Sequence, residues 1–106
     1  MILFGAGVYA KKYKALLEYL HMDFDYFTDN DSSKWGTVLY GKPIISPYEV
    51  SQFSDRKIII SSTHEAAIRE QLAGMGLSEC IMDLNELYTM CEKQMDSSKD
   101  NLIRIH

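Results

Sequence analysis

Gly5-Ala6-Gly7-Val8-Tyr9-Ala10 has the spacing G-x-G-x-x-A, and it follows the short apolar run Met1-Ile2-Leu3-Phe4. The chemistry this spacing serves is the holding of phosphate. The first glycine permits a tight turn, and the second lets an anion approach backbone N–H groups. Ala10 lets the following helix lie close to the sheet. The N–H groups of Gly7, Val8 and Tyr9 would lie at the positive end of that helix. The alternative is a tight turn with no ligand. Asp29, 24 residues after Gly5, stands where a dinucleotide site places the acid that accepts from ribose hydroxyls. With Asn30 and Asp31 it also reads as a turn that binds its own backbone. Ser61, Ser62 and His64 follow the run Ile58-Ile59-Ile60 and would face the same crevice, although Ser62 with Glu65 also reads as a helix cap. Lys11 and Lys12 could meet a phosphate or form a solvated helix face. Trp35 could stack on a base or partner, or pack over the sheet end.

These residues are positioned by alternating strand and helix signals. Strands are expected at residues 1–4, around Phe24-Tyr26-Phe27, at Ile44-Ile45, at 57–61 and at Cys80-Ile81-Met82. Val38-Leu39-Tyr40 forms a small ribbon with the third, and Pro43 keeps its own position off a central ladder. Ala10, Tyr13, Leu16, Leu17 and Leu20 recur at helical spacing. Ser46-Pro47-Tyr48-Glu49 starts a short helix, and Ile68, Leu72 and Met75 mark a longer one. That one stops at Gly76, with Leu77 making the accompanying apolar contact. Leu84, Leu87, Tyr88, Cys91 and Met95 mark a last helix, and the tail from Asp96 is polar.

Short connections between alternating strands and helices predict a Rossmann-like, three-layer α/β/α fold with a mainly parallel sheet of about five strands. Residues 1–90 would form this domain, and 91–106 the end of the last helix and a tail. The 106 residues leave room for one domain, and 46% apolar composition gives it a core. Fifteen acids against eleven bases give no footprint for a nucleic-acid backbone. No apolar run approaches the length of a membrane span, and no secretory signal opens the chain. Cys80 and Cys91 have neither disulfide-framework nor zinc spacing, which predicts reduced cysteines, a cytoplasmic location and no metal.

The residues that would react are missing from the motifs. There is no Tyr with Lys four positions on, no Walker A loop, no G-x-S-x-G and no H-E-x-x-H. No catalytic residue is assigned, and the domain is expected to perform no reaction alone.

Leu3-Phe4-Gly5-Ala6-Gly7, Phe27-Thr28-Asp29-Asn30-Asp31-Ser32-Ser33-Lys34-Trp35-Gly36 and Gly41-Lys42-Pro43-Ile44-Ile45 occur in that order. Over about residues 1–88 the chain resembles the N-terminal nucleotide-sugar-binding domain of bacterial sugar O-acyltransferases of the sialic-acid and bacillosamine type. It is equally similar to the N-terminal domain of polysaccharide-biosynthesis epimerase/dehydratases. The resemblance implies an accessory domain for a nucleotide-linked sugar, held through Gly5, Gly7 and Asp29, with catalysis in a separate domain. Val8-Tyr9 replaces the further Gly and His usual in the acyltransferases, and the hexapeptide repeats of their catalytic part are missing. The first strand begins at Met1, as expected of a domain cut from a larger glycan-biosynthesis protein. The expected ligand contacts are Gly5, Gly7, Val8, Tyr9, Asp29, Asn30 and Ser61. The alternatives are an NAD-binding domain of an oxidoreductase and a ligand-free interaction module, with a fused catalytic domain or a second copy as partner.

Overall fold

The computed structural model describes residues 1–53, 57–83, 85–87 and 89. Strand β1 (Ile2–Phe4) lies between β2 (Tyr26–Thr28) and β5 (Ile58–Ile60), and β2 is followed outward by β4 (Lys42–Ile45) and β3 (Val38–Leu39). All pairings are parallel except that of β3 with β4. The fold is therefore mixed α/β, with a mostly parallel sheet of five strands.

Alternation along the strands divides the apolar side chains between the two faces of the sheet. Leu3, Phe27, Ile44 and Ile59 pack with Ala10 and Leu17 of helix α1 (Ala10–Tyr19). Ile2, Phe4, Ile58 and Ile60 pack with Val50 of the short helix α2 (Pro47–Val50) and with Ile68 and Leu72 of α3 (Glu65–Gly74). The residues named in both clusters are buried. Each fully buried Leu, Ile or Phe contributes about 1.5–3 kcal/mol relative to exposure, so the stripes read from the sequence hold the elements in place.

The helix ends follow local chemistry. The Glu49 carboxylate accepts the Ser46 N–H at 3.2 Å, which fixes the start of α2. Gly76, at φ +75°, ends α3 in a Schellman motif. Leu77 N–H donates to the Leu72 carbonyl at 2.8 Å, and Gly76 N–H to that of Ala73 at 3.0 Å. Helix α1 closes in the same way, with His21 at φ 55° in the position glycine usually takes.

Two expectations need correction. Cys80-Ile81-Met82 is not a strand. Ser78–Cys80 forms a 3-10 turn, and Ile81 makes a single parallel bridge to Ile58. The chain has only a short extended stretch there, because the Schellman turn consumes Leu77 and Asp83 already accepts the Glu86 N–H at 2.8 Å. The sheet still has five strands because the ribbon at Val38-Leu39 counts as one. Pro43 sits in β4 opposite Val38, on the side of the ribbon, while Ile44 and Ile45 join the ladder to β2. Nor does Ser62 cap α3. The helix starts later, with His64 as its N-terminal flanking residue, and the Ser62 hydroxyl accepts the His64 N–H at 3.1 Å. Leu84, Tyr88, Cys91, Met95 and the polar tail, with the end of the last helix and the whole of segment 91–106, lie outside the described residues.

Candidate functional site

Strand register builds the site. Phe4 is level with Thr28 on one side and Ile60 on the other, so the residues that follow them emerge together at one edge of the sheet. Those residues are Gly5, Asp29 and Ser61. A cavity of about 640 Å³ opens there, within the range of small-molecule and cofactor sites. Gly5, Gly7, Val8, Tyr9, Asp29, Asn30 and Ser61 all line it, so every contact residue expected from the sequence is brought to one cavity. Thr63, His64, Ala67, Ile68 and Gln71 of the β5–α3 connection and α3 complete the far wall.

The floor is tied by hydrogen bonds. Gly5 N–H donates to the Thr28 carbonyl at 2.8 Å, and Ser61 N–H to that of Phe4 at 2.9 Å. The Ser61 hydroxyl, 2% exposed as a residue, donates to the Gly5 carbonyl at 2.8 Å. Gly5 has φ +132°, and a Cβ there would lie 2.5 Å from the Ser61 carbonyl oxygen. The fold itself requires glycine at this position. Gly7 differs. Its φ is not positive, and the nearest atom to an added Cβ is Lys34 Nζ at 3.8 Å.

Asp29 binds the turn that follows β2 to the glycine turn. One carboxylate oxygen accepts the Ala6 N–H at 2.8 Å and the other the Asp31 N–H at 2.8 Å. Lys34 Nζ stands 3.8 Å from the first of these and donates to the Ala6 carbonyl at 3.3 Å. The turn reading of Asp29 is therefore realised, and a ribose hydroxyl could bind only to lone pairs these bonds leave over. Asp31 steadies the same turn through the Ser33 hydroxyl at 2.6 Å and the Ser33 N–H at 3.0 Å. These two bonds, the hydroxyl first, hold its carboxyl below the usual range.

The lip is open. Val8 is 93% exposed, and Gly7 and Tyr9 are exposed beside it. Among the described residues, the N–H groups of Gly7, Val8 and Tyr9 donate to no protein acceptor. Tyr9 flanks the start of α1 without a side-chain cap, and the first turn carries no acid. N–H groups without a protein acceptor at a helix start are a common anion-binding arrangement.

Other candidates resolve differently. Lys11 and Lys12 are exposed on α1 and do not line the cavity. Trp35 packs against the α1-side core, and its indole N–H donates to the Asp29 carbonyl at 2.6 Å. Its ring and that of Tyr48 meet in a T-shaped contact, with centroids 6.3 Å apart. Trp35 thus covers the sheet end and lies away from the main cavity. His64 is exposed on the cavity wall.

Sequence reading missed Lys34 and Gln71. Lys34 stands in the stretch Lys34-Trp35-Gly36, but its reach back to Ala6 depends on the preceding 3-10 turn at Ser32–Lys34. Gln71 lies between the buried positions Ile68 and Leu72 and four residues after Ala67. That spacing puts Ala67 and Gln71 on one ridge, without saying which loop the ridge meets. In the fold it meets Asn30. Each amide donates to the other's carbonyl oxygen at 2.9 Å.

The glycine turn, the β2 end and the whole parallel sheet fall within residues 1–81, which match the family model for the C2185-like N-terminal domain. The chain belongs to this family. None of the curated proteins matches it. Among the described residues, no helix of this C2185-like domain is long and apolar enough to cross a membrane.

Proposed function

We propose that this C2185-like domain is a Rossmann-like, three-layer α/β unit that binds a nucleotide, in the first place a nucleotide-sugar. It makes and breaks no bonds itself. The observation that carries this reading is that Gly7, Val8 and Tyr9, whose N–H groups donate to no acceptor among the described residues, line the same cavity as Asp29. A diphosphate would take those donors at the positive end of α1. Lys34 offsets the Asp29 charge that would otherwise oppose a phosphate nearby. The ribose would lie towards Asp29.

The resemblance to the nucleotide-sugar-binding domains of bacterial sugar O-acyltransferases and polysaccharide-biosynthesis epimerase/dehydratases supports the sugar-linked form of the ligand. On the same reading this is an accessory domain of cytoplasmic glycan biosynthesis, working beside a catalytic domain. NAD is the second reading, because Asp29 follows β2 at the place of a ribose-binding acid.

A thermal-shift series tests both. A ligand at 100 times its dissociation constant stabilises a fold by about 2.7 kcal/mol. That is a shift of roughly 10–20 °C for a domain near 100 residues. UDP-sugars are expected to produce it. A response to NAD with none to UDP-sugars selects the second reading. No response to UDP-sugars, CMP or NAD rejects nucleotide binding and leaves an interaction module.

A further inference from the structure

We propose that Asn30 and Gln71 read the base of the bound nucleotide, an inference that rests on the nucleotide reading above. Both side chains line the cavity, and each completes the other's hydrogen bonding in a ring of two N–H···O bonds of 2.9 Å. An amide in such a ring presents one donor and one acceptor side by side. A nucleobase presents the same pair on an edge, as uracil does with N3–H and O4, or adenine with N6–H and N7. A base can therefore take the place of one amide without leaving the other unsatisfied. This is the bidentate geometry with which Asn and Gln bind adenine elsewhere.

The contacts between these groups run in the same order as the parts of a nucleotide. The N–H groups of Gly7, Val8 and Tyr9, which have no acceptor among the described residues, come first. Asp29 adjoins them through Ala6, and Asn30 follows Asp29 and reaches Gln71 on α3. Phosphate, ribose and base follow in the same sequence. Neither amide has another hydrogen-bond partner among the described residues, so exchanging one partner for a base disrupts nothing else.

The test compares UMP and AMP with ribose 5-phosphate, which has phosphate and ribose but no base. Affinities are measured by NMR titration on the full chain and on the double variant Asn30→Ala/Gln71→Ala. Removing both partners together leaves no orphaned amide, and a thermal melt reports whether the variant stays folded. In the unaltered chain at least one of the two nucleotides binds about tenfold more tightly than ribose 5-phosphate. The double variant loses that advantage while its affinity for ribose 5-phosphate stays the same. Tenfold corresponds to about 1.4 kcal/mol, within the range of a bidentate amide–base pair. A folded double variant that keeps the advantage overturns base reading and leaves nucleotide binding standing. The same holds if the variant only melts lower, which would make the amide pair a tie between β2 and α3. Failure of all three compounds to bind the unaltered chain overturns base reading, and the UDP-sugar and NAD series above decides whether nucleotide binding falls with it. Should the double variant not fold, Gln71→Leu and Asn30→Ser, tested singly, replace it. At least one must lose the base advantage, and retention by both overturns the proposal.

Discussion

The two glycines of one short turn have different claims on their positions. Gly5 is buried, has φ +132° and leaves no room for a Cβ beside the Ser61 carbonyl. Its place is explained by the close approach of the chain leaving β5 to the chain leaving β1. Gly7 is exposed, lacks a positive φ and has space around it. Nothing in the packing demands glycine there. The sequence motif treats the pair as one signal, whereas the structure separates a folding requirement from a feature that calls for another explanation. On the proposed function, access to the adjacent N–H groups supplies that explanation.

The sharpest way to break the contrast is Gly5→Ala. Overpacking against backbone and the strained φ together cost about 3 kcal/mol or more, seen as a drop of at least about 12 °C in the melting temperature. An unchanged melt would mean the turn can relax, and the distinction between the glycines would fall. Gly7 should behave in the opposite way. Gly7→Ala is expected to melt within a few degrees of the parent chain, while the bulkier Gly7→Val stays folded and lowers nucleotide affinity about tenfold or more. Equal affinity by calorimetry would move the phosphate site elsewhere.

Ser61→Ala probes the Gly5 side more gently. It removes the donor to the Gly5 carbonyl and costs about 1–2 kcal/mol in chemical denaturation. No loss would show that the hydroxyl does not help hold the turn. The smallest effect is electrostatic and belongs to the β2 turn. The Asp31 carboxyl titrates below its ordinary value when folded. The unfolded chain therefore binds the proton first as pH falls, and the carboxylate's contribution is present above about pH 4 and lost below it. Asp31→Asn should flatten that part of the acid limb in a pH series of melts. An acid limb identical to the parent's would contradict the assignment.

Much of this arrangement was legible because it depends on local rules. An apolar run before Gly5 marks β1, and Ile68, Leu72, Gly76 and Leu77 mark α3 and its end. The seven expected contact residues share one cavity because parallel strands in register release their following residues at one edge. Chemistry that depends on distant partners was not legible. The sequence offers two uses for Asp29, and only the approach of Ala6 shows that both oxygens already bind backbone. Helical spacing places Gln71 beside Ala67, but the crossover brings that ridge to Asn30. Ile81-Met82 has the composition of a strand, yet the turn before it and the helix start after it leave room for one bridge.

On the proposed function, the open half of the glycine turn holds the phosphates of a nucleotide. Amide chemical shifts of the 15N-labelled chain, followed during titration with a UDP-sugar, test it most directly. Saturable shifts of the Gly7, Val8 and Tyr9 amides are expected, with smaller changes at Asp29 and Asn30. Saturable binding that leaves those three amides unmoved, or no binding at all, would contradict it.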